Sequence, residues 1–162
     1  IVGTDNTLSG ETGITVPTAN GLVEDIVASN VSTGVQFSSG SGSNTARRVT
    51  VKSAQVGVSP AGGTGHVVEQ CDFTDLTSKD FGNAPEGVGA AGAVDSRDNN
   101  YGDGVFLRSY SSETVTSDGD FFGPDGENGE VVTNDGNTLS QDNVTVSNVN
   151  TSKNPDAGAQ SP

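Results

Sequence analysis

The sequence is poor in the residues on which helical cores, disulfide scaffolds and thiolate metal sites depend. Its 162 residues include no Met, no Trp, one Cys and one His. The single Cys71 excludes an intramolecular disulfide and a thiol-based metal site within one chain. There are 21 Val but only five Leu, and because Leu dominates helical cores while β-branched residues favour strands, a helical bundle is disfavoured. No run of 18 apolar residues occurs, so no membrane-spanning helix is predicted.

Positive charge is scarce as well. Seven Lys and Arg stand against 21 Asp and Glu, for a formal net charge of -14, and the only basic doublet is Arg47-Arg48. Phosphate recognition requires clustered basic side chains, so direct nucleic-acid binding and attachment to anionic membranes are both disfavoured. Two explanations remain for the excess of carboxylates: a protein adapted to high salt, where exposed charges are screened, and a protein that binds hard cations.

A repeated pattern of short strands begins near Asn20. Leu22–Val31 is strand-like, a corner is predicted at Ser32–Gly34, a second short strand at Val35–Phe37, and a polar loop follows. Arg48–Val56 repeats the pattern. Val27 and Val51 are 24 residues apart, and Val35 and Val58 are 23 residues apart, which indicates a solenoid of stacked coils. We expect Val27, Val51 and Val144 to point inward.

The pattern continues with interruptions. A third coil is predicted from His66 to Phe73, with Cys71 lying 22 residues after Val49. The register is lost after Leu76 and returns between Asp103 and Phe122. A last coil uses Glu130–Thr133 and Asn143–Val149, where Val144 lies 29 residues after Val115 and a longer loop is required.

Two phrases, Asp103–Leu107 and Asp142–Val149, resemble coils of right-handed parallel β-helix proteins of the pectin-lyase-like group. The resemblance implies an all-β fold, a short right-handed parallel β-helix of about four to six coils; a β-sandwich is the alternative. The predicted domains are an N-terminal strand or cap segment at 1–19, the solenoid at 20–150 and a flexible tail at 151–162. The composition also resembles that of secreted proteins of extreme halophiles.

The group includes polysaccharide lyases, glycoside hydrolases, viral spikes and adhesins, so the fold does not select an activity. An enzymatic site would use the cluster Asp95, Asp98, Asp103 and Arg108. Gly63–His66 resembles a histidine element of the hydrolases, but Val67 stands where that element has Gly. We therefore favour a protein that is not an enzyme. Cys71 is interpreted as a buried small apolar residue, with a nucleophile assisted by His66 as the alternative.

Cation binding is the better-supported chemistry. Carboxylates interleaved with glycines can present several oxygens from one loop, as calcium requires. Neither group of acids has EF-hand spacing, and solvated acidic loops are the competing interpretation. The predicted calcium ligands are Asp118, Asp120, Asp125 and Glu127, with a second group at Asp95, Asp98 and Asp103.

The sequence favours an exported protein at a cell or virion surface. The chain begins at Ile1, which we interpret as a processed mature chain or an excised domain, and three sequons predict glycosylation at Asn30, Asn143 and Asn150. We expect a structural or surface-attachment subunit, as in a filament, appendage or virion surface, that assembles through its solenoid ends, with residues 1–16 as a strand partner. The alternative is a carbohydrate-binding or polysaccharide-degrading β-helix.

Overall fold

The computed structural model describes residues 1–2, 11–38, 42–77, 85–102, 105–109, 115–122, 130–133, 144–147 and 158–159. Within these ranges the chain forms sixteen β-strands and no helix, so none of these residues forms a helix that could cross a membrane. In chain order the strands are β1 (Thr12–Val16), β2 (Leu22–Glu24), β3 (Val27–Phe37), β4 (Thr45–Arg47), β5 (Thr50–Pro60), β6 (His66–Glu69), β7 (Asp72–Thr74), β8 (Glu86–Ala90), β9 (Val94–Arg97), β10 (Asn100–Tyr101), β11 (Phe106–Ser109), β12 (Val115–Asp118), β13 (Phe121–Phe122), β14 (Glu130–Thr133), β15 (Val144–Ser147) and β16 (Gly158–Ala159).

The strands stack as a parallel β-solenoid, which confirms the predicted fold class. About four turns run from β2 to β11, and the later strands continue the same stack. Wall 1 is the six-stranded sheet of β2, β4, β6, β9, β12 and β15. Wall 2 contains β7, β10, β13 and the parts of β3 and β5 that precede Asn30 and Ser53. Wall 3 contains β1, β8, β11, β14, β16 and the parts of β3 and β5 that follow these two residues. Every strand pairing described between these elements is parallel.

In the described residues, the coils bend at single residues with left-handed backbone conformation. The corner between walls 1 and 2 has one such residue in five successive coils, with φ from 50° to 70°: Asp25, Arg48, Gln70, Asp98 and Gly119. Five residues later, the bend between walls 2 and 3 repeats the conformation at Asn30, Ser53 and Asp75. A non-glycine residue in this conformation costs on the order of 1 kcal/mol of folding free energy. The packing of the stacked coils must offset this cost at each sharp corner.

The observed register corrects two predictions. Val27 is 56% exposed and pairs with Thr50, while Val51 is fully buried and pairs with Ala28. The repeat between these two coils is therefore 23 residues, not the predicted 24. A shift of one residue along a strand turns a side chain to the opposite face of the sheet, so Val27 points outward and not inward. The predicted corner at Ser32–Gly34 was also wrong, because β3 continues through it and the left-handed residue is Asn30.

Other register predictions are confirmed. Val35 pairs with Val58, and Val115 pairs with Val144 across the 29-residue coil. The step of 22 residues from the second to the third coil appears in the pairing of Thr50 with Asp72. The side chain of Val144 lies outside the described residues.

The predicted cap segment at 1–19 supplies strands to the start of the stack. β1 pairs with β3 of its own chain, and Val2 forms a parallel bridge to Ser29. The expectation that residues 1–16 serve as a strand partner between molecules was therefore wrong for their described part, which is already paired within the chain. At the other end, the structure describes only β16 within the predicted tail at 151–162, and β16 pairs with β14.

The core is filled by columns of residues that stack from coil to coil. Along wall 2 the inward residue grows through Ala28, Val51, Phe73 and Tyr101, all fully buried. A column of glycines on wall 3, Gly34, Gly57 and Gly87, leaves room for these side chains. A Cβ atom added to Gly87 would lie 2.6 Å from Tyr101 Cδ1, so the large rings occupy the volume that the glycines leave free.

We expect Gly57→Ala to lower the free energy of unfolding by about 3 kcal/mol, because the added Cβ would overlap the Phe73 ring and the Gly87 carbonyl oxygen. Chemical denaturation measures the change. Gln55→Ala, on the same strand, is the control and should cost less. Adding Phe73→Leu to Gly57→Ala should restore part of the loss; equal effects of Gly57→Ala and Gln55→Ala would show that the glycine column does not limit packing.

A second prediction concerns the corners. Gln70 is exposed and has φ of 54°, so Gln70→Gly should raise the free energy of unfolding by roughly 0.5–1 kcal/mol by removing the left-handed strain. Lys52→Gly, at an exposed extended position of β5, should lower it by a similar amount. A loss of stability in both variants would contradict the proposed role of the corner.

Candidate functional site

Four of the seven predicted calcium ligands lie in described residues, and they face different ways. Asp95 projects from the outer face of wall 1, Asp98 forms the corner after β9, Asp118 is exposed at the end of β12, and Asp120 is fully buried. Asp103, Asp125 and Glu127 lie outside the described residues. Within the described part of the chain, no group of three or more His, Cys, Asp or Glu side chains is arranged to hold a metal ion. Calcium binding stays a prediction.

The outer face of wall 1 carries a ladder of alternating charge. In register order its members are Glu24, Arg47, Glu69, Arg97 and Asp118. Arg47 pairs with Glu24 at 2.6 Å and approaches Glu69 at 3.9 Å. Because parallel in-register stacking places equivalent residues directly over one another, alternation replaces repulsion by attraction between coils.

Asp95 stands next to this ladder and is neutralised by neighbours. Its carboxylate accepts hydrogen bonds from Arg97 and, at 2.7 Å, from Thr116 Oγ1. The Arg97 guanidinium, more than any other group, lowers the pKa of Asp95. A shallow groove of about 370 Å³ runs beside this pair, and it is lined in part by His66, Val67, Asp95, Arg97 and Thr116. Its two charged groups already satisfy each other, so the groove offers little unpaired charge to a ligand.

Asp120 lies inside the solenoid rather than in a surface loop. Its Oδ1 accepts hydrogen bonds from Asn99 N at 2.9 Å and Asn99 Nδ2 at 3.0 Å, and its Oδ2 accepts from Ser96 Oγ at 2.7 Å and Ser117 Oγ at 2.6 Å. Tyr101 OH shares a hydrogen bond of 2.8 Å with Ser96 Oγ. Burial raises the pKa of Asp120, although these four bonds favour the carboxylate.

The network occupies positions that are apolar in the first coils. Val23, Ala46 and Val68 are followed in the same column by Ser96 and Ser117. Asn99 also joins this cluster to the preceding coil, because its Nδ2 donates to Val68 O and its Oδ1 accepts from Cys71 N, both at 2.8 Å. The sequence analysis missed this cluster, and only the correct register between Val68 and Ser96 would have revealed it.

The residues considered for catalysis either lie on different walls or are already engaged in hydrogen bonds, ring stacking or ion pairs within the protein. His66 is fully buried, stacks on Phe37, accepts a hydrogen bond from Asn44 N at Nδ1 and donates from Nε2 to Gly62 O. Burial raises the pKa of the Cys71 thiol to about 12, so it is not a thiolate at neutral pH. Arg108 is on wall 3 and pairs with Glu86 at 3.1 Å, whereas Asp95 is on wall 1. The structure does not bring Arg108 and Asp95 into one cluster.

The first coil has an open end. β2 is the terminal strand of wall 1, and no strand pairs with its outer edge among the described residues. Within the same part of the chain, only four large apolar side chains are exposed: Leu22 at 52% and Val27 at 56% in this coil, and Ile1 at 52% and Val2 at 68% in the cap residues that cover the edge of β3 on wall 2. We use the name open end for the outer edge of β2 together with these four side chains.

The charged side chains of Glu24, Asp25, Arg47 and Arg48 beside the open end form ion pairs. Arg48 donates to both carboxylate oxygens of Asp25, at 2.7 and 2.8 Å, and to Glu24 at 2.9 Å. The Arg47 guanidinium is the main cause that lowers the pKa of Glu24.

Of the predicted glycosylation sites, Asn30 lies at the wall 2 to wall 3 bend and is half-buried, while Asn143 and Asn150 lie outside the described residues.

Comparison with protein-family models, curated proteins and solved structures found no significant match to the chain. The parallel solenoid agrees with the predicted architecture, but no family assignment follows from it. The open end is therefore the candidate site on geometric grounds alone.

We expect acidification to stabilise the wild type relative to Asp120→Asn. At pH below the ordinary carboxyl pKa, Asp120 is protonated in both the folded and unfolded states. As pH rises through its raised folded pKa, the native state must ionise a buried group, and stability is lost. The difference in unfolding free energy between wild type and Asp120→Asn should therefore shift in favour of the wild type between pH 7 and pH 4.

Asp95→Asn is the matched control because its shift has the opposite sign. The lowered pKa of Asp95 gives stability that is present at neutral pH and lost on acidification. The two variants should thus show opposite pH slopes relative to wild type in high-salt buffer, which screens the net charge. Parallel slopes would refute the buried-carboxylate interpretation.

Proposed function

We propose that the protein is a structural or surface-attachment subunit of an extracellular assembly and that it associates through the open end. The observation that carries this proposal is that the unpaired edge of β2 lies at the same end of the solenoid as the four exposed large apolar side chains of the described residues, Leu22 on β2 itself and Val27, Ile1 and Val2 on the adjoining wall 2. Edge strands are natural sites for pairing with another chain, and exposed apolar side chains add a hydrophobic gain when that pairing covers them.

The lateral surface supports association along the solenoid axis. On wall 1 the outward charges are organised as the alternating ladder, with Arg47 held between Glu24 and Glu69. The outer face of wall 2 presents polar pairs such as Asn100 Nδ2 donating to Asp72 Oδ1 at 2.8 Å. Beyond the first coil, a second molecule approaching these walls would have to desolvate groups that are already paired, whereas the edge of β2 gains hydrogen bonds by meeting another strand.

Three sequons and the acidic composition support an extracellular location. A solenoid of this kind needs no catalytic centre to serve as a spacer or an attachment unit, because each coil rests on its neighbours and the length of the body follows from the number of coils. The function would then reside in rigidity and in the contact made at the open end.

The test is the doubly substituted variant Leu22→Lys and Val27→Lys. Burying each of these side chains contributes about 1.5 kcal/mol or more, so losing two contacts should weaken association by at least 100-fold, since about 1.4 kcal/mol corresponds to tenfold. Sedimentation velocity at several protein concentrations, in buffer of high ionic strength, measures the association.

The matched control substitutes the register partners one coil further in, Thr45→Lys and Thr50→Lys. It adds the same charge on the same two walls but leaves the open end intact, so it should associate like the wild type. A wild-type chain that stays monomeric at the highest concentration, or equal weakening by both double variants, would sink the proposal.

A further inference from the structure

We propose that the partner at the open end is a single extended peptide strand of another molecule, which binds parallel to β2 and carries a basic side chain over Glu24. This inference rests on the proposed function, because it names the class of partner that the same end takes. It is motivated by the position of the unpaired edge on wall 1, beside a cap that already covers walls 2 and 3.

The shape of the open end admits one strand and not a broad surface. On wall 2, Ile1 covers the edge of β3: its amino group donates to Val27 O at 2.6 Å, and its carbonyl oxygen accepts from Ser29 N at 2.9 Å. On wall 3, β1 covers the same edge. Wall 1 has no such layer among the described residues, which leaves a notch about 5 Å deep, one strand spacing, over β2. A broad partner would rest on the cap before it reached β2, whereas a single strand fits into the notch.

The backbone of β2 presents hydrogen-bonding groups to the notch. Gly21, the residue before β2, turns its backbone towards β4, because its carbonyl oxygen accepts from Thr45 N at 2.8 Å. Since successive residues of a strand direct their backbone groups to opposite edges, Leu22 and Glu24 direct their N–H and C=O groups into the notch. A strand bound there can pair with these four groups and extend wall 1 by one layer.

The columns of wall 1 define the apolar side chains of this strand. Its inward residue would continue the column of Val23, Ala46 and Val68, which are all buried, so a small apolar residue fits there. Its neighbour on the outer face would lie over Leu22, which is 52% exposed, and an apolar side chain would cover part of that surface.

The charge ladder of wall 1 selects a basic residue over Glu24. Glu69 has two ladder neighbours, Arg47 and Arg97, whereas Glu24 stands at the end of the ladder and has Arg47 alone. The hydrogen bonds that Glu24 accepts from Arg47 and Arg48 both end on Oε2, so Oε1 is the oxygen left for a further cation. A basic side chain continues the alternation, and an acidic one would face a like charge.

Disulfide trapping of synthetic peptides tests the strand. Leu22→Cys places a thiol beside the notch, and native Cys71 is 2% exposed, so the wild type gives the background. The probe is the acetylated and amidated peptide Ser-Cys-Val-Arg-Ser, whose three central residues lie over Leu22, Val23 and Glu24 in the parallel register. Parallel neighbours in register are about 5 Å apart, within the Cα separation that a disulfide spans.

Three comparisons isolate the position, direction and charge of the strand. Thr45→Cys is the control chain, because it lies in the same outward column on β4, which has strands on both edges. Ser-Arg-Val-Cys-Ser is the control for direction, since it has the same composition and charge as the probe but places its Cys over Glu24. Ser-Cys-Val-Glu-Ser is the control for charge.

Mass spectrometry measures the mixed disulfide in a glutathione buffer, relative to the glutathione adduct of the same thiol. We expect Leu22→Cys to capture the probe about tenfold more than Thr45→Cys does, and about tenfold more than it captures the reversed peptide, since only the probe in the notch gains net hydrogen bonds. Capture of the acidic peptide by Leu22→Cys should be about fivefold lower than capture of the probe, because the ion pair with Glu24 becomes a repulsion.

The outcomes separate this inference from the proposed function. Equal capture by Leu22→Cys and Thr45→Cys, equal capture of the basic and acidic peptides, or preference for the reversed peptide overturns the inference. In each case the proposed function stands if the double variant of Leu22 and Val27 still weakens association. Capture as expected, combined with a wild type that stays monomeric, supports the strand site and assigns the strand to a different polypeptide, while the self-association expected above fails.

Discussion

Parallel stacking of one coil on the next depends on turning the chain at the same place in every coil. The turn between walls 1 and 2 is made by one left-handed residue, and the residues that adopt it include Arg48 and Gln70, which have no intrinsic preference for that conformation. The left-handed geometry is therefore imposed by the stack. Hydrogen bonds between coils hold it in place, as when Arg48 N donates to Glu69 O and Gln70 N donates to Arg97 O.

The fixed corners decide what the interior can contain. Because the coils bend at equivalent points, inward residues fall into columns, and each column must be filled without overlap. On wall 2 the column widens to Phe73 and Tyr101 where the glycine column faces it. On wall 1 the column changes from apolar to hydroxyl side chains at Ser96 and Ser117, and the buried Asp120 is tolerated there because four donors surround its oxygens.

The sequence predicted the repeat better than the positions of individual side chains. Steps of 22, 23 and 29 residues were readable because valines recur at paired positions such as Val35 and Val58. The orientation of Val27 was predicted wrongly, because Val27 pairs with Thr50 and not with Val51, and a shift of one residue turns a side chain to the opposite face of the sheet. The bends were missed for a different reason. Asn30 and Asp75 are of types that adopt the left-handed conformation more readily than most, but Ser53 is not, so residue type alone does not mark the bend in every coil.

The candidate site was predictable as a location but not as a set of residues. That a short solenoid has unsatisfied ends follows from its topology, whereas Leu22 and Val27 could be identified as exposed only once the register was known. The register also shows how part of the excess of acidic side chains is compensated. All four arginines of the chain are in ion pairs, Arg47 and Arg48 near the open end and Arg97 and Arg108 further along. Since a parallel stack places equivalent residues over one another, its carboxylates need such partners, and here the arginines supply them on wall 1 and at the Glu86 pair. Residues 1–60 contain four acidic and three basic residues, whereas residues 61–162 contain 17 acidic and four basic residues, so the excess negative charge belongs to the part of the sequence after residue 60.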